Sequence, residues 1–74
     1  MIRFEDALIN KKYIGYAFVK KVYAYKGNVI ECCTWELKIV IMIDNKEKDY
    51  LTFEYTSEKE INDKLNELEK LLCD

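Results

Sequence analysis

The hydrophobic pattern is clearest near the C-terminus, where it predicts an amphipathic α-helix. Apolar residues recur there at intervals of four, three and four, which traces one face of a 3.6-residue period: Ile61, Leu65, Leu68 and Leu72. Ser57 precedes this run and Glu60 follows three residues later, the spacing of a capping box in which the hydroxyl accepts a backbone N–H. Glu60 and Lys64 are also spaced for an i,i+4 ion pair. The helix is therefore expected to begin just after Ser57.

The middle of the chain is rich in β-branched and aromatic residues, which predicts β-strands. Gly27-Asn28 is typical of a two-residue hairpin loop with Gly first, and the polar run from Asp44 to Lys48 indicates a longer loop. These two turns separate three predicted antiparallel strands: Tyr16 to Lys26, Val29 to Ile43, and Asp49 to Tyr55.

The register of the second hairpin follows from alternation in the second strand. Its odd-numbered positions, from Trp35 to Ile43, are apolar and are expected to face the core. Placing Ile43 opposite Asp49 also places Lys38 opposite Glu54 on the other face, a favourable cross-strand charge pair. The two faces support the same register.

The first hairpin allows two registers. A two-residue loop at Gly27-Asn28 pairs Phe18 with Leu37 on the core side. A three-residue loop would instead direct Ala17 and Val19 to the core. The two-residue loop is the preferred interpretation because Gly in its first position fits that turn type.

The N-terminal residues complete the predicted fold. Phe4, Ala7 and Leu8 are spaced for a short helix that ends near Asn10. The chain is then a single α+β domain over residues 1–74, in the order α-β-β-β-α, with the C-terminal helix packed on one face of a three-stranded antiparallel meander.

One helix and one short segment can cover only one face of this sheet. The residues assigned to the other face are unusually apolar: Ala17, Val19, Tyr23, Tyr25, Ile30, Val40, Met42 and Tyr50. Tyr and Met are enriched at interfaces, and exposed apolar patches mark partner sites. The predicted partner-binding residues are Tyr23, Tyr25, Met42 and Tyr50, with Lys21 and Glu36 at the rim. The partner is another protein or a second copy of the chain, since a chain this short buries only ~60–65% of its unfolded surface alone.

The composition argues against catalysis and against a bound cofactor. The chain contains no His, and its two glycines cannot build a glycine-rich phosphate loop. Three cysteines without a CxxC spacing, Cys32, Cys33 and Cys73, are expected to be reduced thiols without a metal. Ser57 is explained as a helix cap. The chain is therefore expected not to be an enzyme and to need no cofactor.

Nucleic acid is the alternative partner. The first 43 residues carry an excess of three positive charges, and the remainder an excess of five negative charges. Lysines interleave with tyrosines in the basic part, as in sheets that stack bases and neutralise phosphates: Lys11, Lys12, Lys20, Lys21, Lys26 and Lys38. The net charge of −2 and the single Arg weigh against this alternative. A third possible contact is the acidic helix surface: Glu58, Glu60, Asp63, Glu67, Glu69 and Asp74.

Size and charge balance also suggest a setting. The chain is similar in these two respects to small non-catalytic proteins of phages and mobile elements, including anti-CRISPR and other counter-defence inhibitors, although no motif carries the similarity. Glu5 and Asp6 stand where a signal peptide would be apolar, and no run is long enough to span a membrane. A cytoplasmic inhibitor of a host protein is the expected role.

Overall fold

The computed structural model describes residues 1–73, and these residues form two antiparallel β-sheets and a C-terminal helix. The elements in chain order are β1 Ile2–Phe4, β2 Ala7–Ile9, a 3₁₀ turn Lys11–Tyr13, β3 Ile14–Lys26, β4 Val29–Ile43, β5 Lys46–Tyr55 and α1 Glu58–Cys73. The smaller sheet is the β1–β2 hairpin, and the larger has the strand order β3-β4-β5. The α+β class and the three-stranded meander are confirmed.

The C-terminal helix begins where its capping signal predicts. The Ser57 hydroxyl accepts a hydrogen bond from the Glu60 backbone N–H at 3.1 Å. Lys64 does not form the predicted pair with Glu60. Its ammonium lies 2.6 Å from Glu5 in the β1–β2 turn and 3.3 Å from Glu67, and hydrogen bonds to these carboxylates raise the pKa of Lys64. Lys64 thereby connects the helix to the N-terminal hairpin.

The predicted N-terminal helix is wrong, because residues 2–9 form the β1–β2 hairpin and only Lys11–Tyr13 makes a 3₁₀ turn. Phe4 pairs with Ala7 across a turn in which Glu5 has a φ of 54°. The Phe4 ring is fully buried and meets the Phe53 ring edge-on, with centroids 5.2 Å apart. Alternating residues thus anchor the hairpin to the core, which outweighs the helical spacing of so short a segment.

The β3–β4 hairpin combines the predicted loop with an unpredicted register. Lys26 pairs with Val29 across a two-residue loop, and Gly27 has a φ of 65° as that turn requires. The register then shifts between Ala24 and Tyr25, where Glu31 is an extra residue on β4. As a result the residue opposite Leu37 is Val19 and not the predicted Phe18.

This shift reverses the two faces of β3. Ala17 and Val19 pack against the core, while Tyr16 and Phe18 are exposed on the other side of the sheet. The preferred register of the first hairpin is therefore wrong, although its loop length is right.

The β4–β5 hairpin is tighter than predicted. Its loop is only Asp44-Asn45, with φ of 56° and 63°, so β5 begins at Lys46. Leu37 lies opposite Phe53, and Lys38 lies opposite Thr52 rather than Glu54. Because this register differs from the predicted one by two residues, the residues of β4 and β5 that pair from Trp35 to Met42 keep their predicted faces. Ile30 lies beyond the extra residue Glu31 and opposite Tyr25, so it lies on the helix side of the sheet and not on the predicted side.

The two hairpin loops predict opposite responses to substitution. Asn45→Gly should raise the free energy of unfolding by roughly 0.5–1 kcal/mol, because Gly removes the cost of a left-handed backbone in a turn with two positive φ angles. Gly27→Ala should lower it by about 1 kcal/mol for the converse reason. Urea denaturation of the two variants measures both effects, and equal signs would contradict the turn assignments.

The core lies between the larger sheet and the layer made by α1 and the β1–β2 hairpin. Its fully or nearly fully buried residues come from β1, β2, β4, β5 and α1: Phe4, Ile9, Leu37, Ile39, Tyr55, Ile61 and Leu68. Since Phe4 contacts Phe53 and Glu5 contacts Lys64, the helix and the hairpin cover the same side of the sheet. The opposite side is called the outer face below.

Tyr55 is a core residue whose hydroxyl has no hydrogen-bond partner among the described residues. Burial, with a smaller contribution from Glu5, raises the pKa of Tyr55 to about 12. A raised pKa in the folded state stabilises the fold below the unfolded pKa of 10.0, and this contribution disappears as the pH rises towards 12.

Tyr55→Phe should therefore be neutral, or stabilising by up to ~1 kcal/mol, at pH 8, because it removes an unpaired buried hydroxyl. At pH 11 its advantage over the wild type should be larger. Denaturant titrations of both proteins at the two pH values measure this. An advantage that does not change with pH would show that Tyr55 does not titrate as proposed.

The larger sheet projects beyond the helix as a two-stranded ribbon. β5 ends at Tyr55 opposite Trp35, so beyond that point β3 and β4 pair only with each other. This ribbon, residues 22–34, is called the arm. It gives the molecule a longest dimension of 43 Å and helps to raise its accessible surface to 5576 Å². A compact chain of this mass exposes ~4800 Å², so this molecule exposes more surface to solvent than a compact chain of the same mass.

Candidate functional site

The candidate site is the outer face, the side of the β3-β4-β5 sheet that faces away from α1. Strand alternation and the observed register assign thirteen residues to it: Tyr16, Phe18, Lys20, Val22, Thr34, Glu36, Lys38, Val40, Met42, Glu47, Tyr50, Thr52 and Glu54. Hydrogen bonds and ring contacts within this set agree with the assignment. The helix and the N-terminal hairpin both lie on the other side.

A cluster of aromatic side chains occupies the centre of the outer face. Val40 is fully buried there because its cross-strand neighbours are Tyr16 on β3 and Tyr50 on β5. The Tyr16 and Phe18 rings stack with centroids 6.0 Å apart. Yet Tyr16, Phe18 and Tyr50 remain 47%, 38% and 52% exposed. The rings of Tyr16 and Tyr50 thus cover Val40, and all three rings present an apolar surface to solvent.

Polar contacts hold these rings in place. The Tyr16 hydroxyl donates a hydrogen bond to Glu47 Oε1 at 2.7 Å, and this contact raises the pKa of Tyr16. On β4 the Lys38 ammonium donates to Thr52 Oγ1 at 3.2 Å and lies 3.8 Å from Glu36 Oε1. The same ammonium is 5.9 Å from the centroid of the Tyr50 ring. The surface is therefore partly organised before any partner arrives, which lowers the entropic cost of binding.

Met42 closes one end of the outer face. Its side chain lies over Gly15, where a Cβ atom would overlap Met42 Sδ and Cγ. Gly15 is also at a register shift in β3, between Ile14 and Tyr16. A glycine within a strand often marks such a close approach, so Gly15 is a local signal for the position of Met42.

The structure divides the six predicted partner-binding residues into two groups. Met42, Tyr50 and Glu36 lie on the outer face as expected. The other three lie on the helix side of the sheet, on the arm or at its base: Lys21, Tyr23 and Tyr25. The expected single surface is wrong because the extra residue Glu31 reverses the faces of β3. The role of each residue in binding stays a prediction.

The arm group has its own internal contacts. The Lys21 ammonium lies 4.9 Å from the centroid of the Trp35 ring and 5.3 Å from that of Tyr23. Tyr25, farther along the same side of β3, is 62% exposed. Two of the aromatic rings on this side of the sheet therefore already contact the Lys21 ammonium.

The structure adds Tyr16 and Phe18 to the site, and the preferred register had assigned them to the core. The signal that could have found them is the small residue between them, Ala17. A small side chain facing the helix and two large rings facing away fit the alternative register, in which Ala17 and Val19 point inward.

Other kinds of site are sparse in the described part of the chain. No three His, Cys, Asp or Glu side chains within residues 1–73 are grouped closely enough to hold a metal ion. Cys32, Cys33 and Cys73 are free thiols. No helix in these residues is both long and apolar enough to cross a bilayer. The acidic helix surface includes Asp74, which lies outside the described residues.

Comparison with known proteins returns no relative. No family model matches the chain, and no curated protein or solved structure matches it either. The function is therefore inferred from the residues exposed on the surfaces of this molecule.

Proposed function

We propose that this chain is a non-enzymatic binding protein that docks onto another protein through its outer face. The observation that carries the proposal is the cluster of three partly exposed rings around the buried Val40. Tyrosine and other aromatic side chains provide most of the binding energy at many interfaces, because they bury a large area at a small entropic cost. Tyr16, Phe18 and Tyr50 are the proposed anchors, with Met42 beside them.

The charges of the outer face favour a protein over a nucleic acid. Two lysines stand among three glutamates: Lys20 and Lys38, with Glu36, Glu47 and Glu54. Lys38 is already engaged by Glu36 and Thr52, and a carboxylate is hydrogen-bonded to Tyr16. A phosphate backbone crossing these rings would meet more negative than positive charge. Mixed charges around an aromatic centre are instead typical of a protein interface.

The size of the outer face favours a different protein over a second copy. Three strands ~4.8 Å apart and roughly eight residues long make a face of about 400 Å² in projection. A stable interface buries ~800 Å² on each partner. Two copies joined face to face would have little more than this sheet in contact. A larger partner can also reach the sheet edge, so we favour a foreign protein.

A narrower hypothesis concerns the biological role. The chain's small size and its separation into basic and acidic parts are similar to those of phage and mobile-element inhibitors that block a host protein in the cytoplasm. Such an inhibitor needs a preorganised surface and no catalytic groups, and the outer face fits that description. The identity of a captured partner would decide whether this narrower hypothesis holds.

The proposal is tested by capture with and without nuclease. The tagged chain is incubated with a lysate of its own host, and one half of the sample is treated with nucleases for DNA and RNA. We expect a protein to be retained in equal amount in both halves, and no shift of single-stranded DNA or RNA in a gel at low salt. Capture that is lost with nuclease, together with a gel shift that weakens steeply as salt is raised, would establish the nucleic-acid alternative instead.

A further inference from the structure

The edge of β3 is a second surface with unused binding capacity. β3 is a long strand, Ile14–Lys26, and within residues 1–73 it pairs with β4 alone. Its free edge therefore presents unpaired backbone N–H and C=O groups to which another strand can add. β5 is the other edge strand, but Phe4 packs against its Phe53, and it carries charges of both signs.

An apolar groove runs beside the β3 edge on the helix side. The helix contacts β1, β4 and β5, and the space between it and β3 is lined by Ala17, Leu65, Leu68 and Leu72, with Glu69 and Cys73 at the margin. Ile61 and Leu68 are fully buried, whereas Leu65 and Leu72 on the same helical stripe are only half-buried. Part of the apolar stripe thus lacks a covering strand.

The positive charge of β3 determines which kind of strand can pair with its free edge. The strand contains three lysines, Lys20, Lys21 and Lys26, and no acidic residue. A second β3 strand laid alongside would bring lysines near lysines, and edge lysines are a known protection against such pairing. An acidic strand would meet opposite charges along the same edge.

We infer that the edge of β3 binds an extended acidic segment of another protein by strand addition. Apolar side chains on one side of that segment lie in the groove against Leu65 and Leu72. Acidic side chains on its other side lie near Lys20, and the ammonium of Lys21 adds positive charge where the groove ends. The inference goes beyond the proposed function, because the edge and groove adjoin the outer face and share only Lys20 with it, and a peptide tests them without the partner of that face.

The test uses two defined peptides. The first is an acetylated decapeptide of alternating valine and glutamate, and its control is the same peptide with lysine in place of glutamate. Each is titrated into the intact protein while the backbone amides are followed by NMR. We expect the glutamate peptide to bind with a Kd below about 1 mM, to perturb amides of β3 and those near Leu72, and to bind about tenfold or more tightly than the lysine peptide.

Two variants locate the contact. Lys20→Glu/Lys21→Glu should weaken the glutamate peptide by about tenfold or more and strengthen the lysine peptide, because the edge charge is reversed. Leu72→Ser should weaken both peptides, while the circular dichroism spectrum of the protein stays unchanged. The inference is overturned if the glutamate peptide does not bind at this concentration, if both peptides bind wild-type protein equally, or if the perturbed amides belong to β5. Protection of β3 amides in a dimer without peptide would also overturn it.

Discussion

Replacing Phe4 by Ala should lower the free energy of unfolding by about 3–4 kcal/mol, which is the usual cost of deleting a buried phenyl ring. Phe4 is fully buried, and its ring contacts Phe53 edge-on at 5.2 Å. The same side chain anchors the β1–β2 hairpin whose Glu5 reaches Lys64. A domain of this size has a total stability of only roughly 4–11 kcal/mol. The variant should therefore be largely destabilised, which thermal and urea denaturation would show.

Leu8→Ala is the matched control for this prediction. Leu8 lies on β2 and is 69% exposed, so its truncation should change the free energy of unfolding by less than ~0.5 kcal/mol. If the N-terminal residues formed the helix that the spacing of Phe4, Ala7 and Leu8 predicts, both substitutions would be costly. Similar losses for the two variants would contradict the hairpin.

Replacing Phe18 and Tyr50 together by Glu should reduce affinity for the captured protein partner by about 100-fold or more, because each anchor at the centre of an interface is worth ~2 kcal/mol. Both side chains are exposed on the outer face, so their replacement removes contact area there, uncovers part of Val40 and leaves the core between the sheet and α1 closed. The two carboxylates would also be desolvated in the complex. Calorimetry or surface plasmon resonance with the isolated partner measures the effect.

Leu8→Glu is the control for this double variant, since it adds a carboxylate to an exposed apolar residue on the opposite side of the molecule. Its affinity should equal that of the wild type. Circular dichroism and thermal denaturation of the double variant establish that the fold is intact. A folded double variant that binds like the wild type would show that the outer face is not the interface.

Much of the fold was predictable because the periodic signals in this sequence are strong. The helical stripe from Ile61 to Leu72 and the Ser57 cap locate α1, and alternation along β4 identifies its core face. The register of β3 was not predictable in the same way, because one extra residue at Glu31 reverses the side chains of this strand from Tyr16 onwards. Neither the composition nor the loop length locates that extra residue, and only the small Ala17 between Tyr16 and Phe18 favours the observed faces.

The N-terminal segment shows a different difficulty. Phe4, Ala7 and Leu8 fit a helical spacing, while Ile2 and Phe4 with Ala7 and Ile9 fit two very short strands equally well. Neither element is stable alone at this length. Packing of Phe4 and Ile9 into the core decides between them, and that packing depends on β5 and α1, which lie far along the chain.

Half of the candidate site could be predicted from the sequence, because the faces of β4 and β5 were predictable there and the register of β3 was not. Met42, Tyr50 and Glu36 lie on β4 and β5, whose faces were assigned correctly, and they remain on the outer face. Tyr23, Tyr25 and Lys21 lie on β3, and its observed register places them on the helix side of the sheet. The double substitution that tests one surface is therefore Phe18 with Tyr50, and a pair such as Tyr23 with Met42 would alter two opposite sides of the sheet.

Site-specific photo-crosslinking shows most directly whether the outer face docks onto another protein. A benzoylphenylalanine is placed at position 50 on the outer face in one protein and at position 8 on β2 in another, and each is irradiated in a nuclease-treated lysate of the host. Docking through the outer face predicts a covalent adduct with one larger protein from position 50 and none with that protein from position 8. An adduct from position 8 alone, or one from position 50 whose mass is twice that of the chain, would contradict docking of a foreign protein on the outer face.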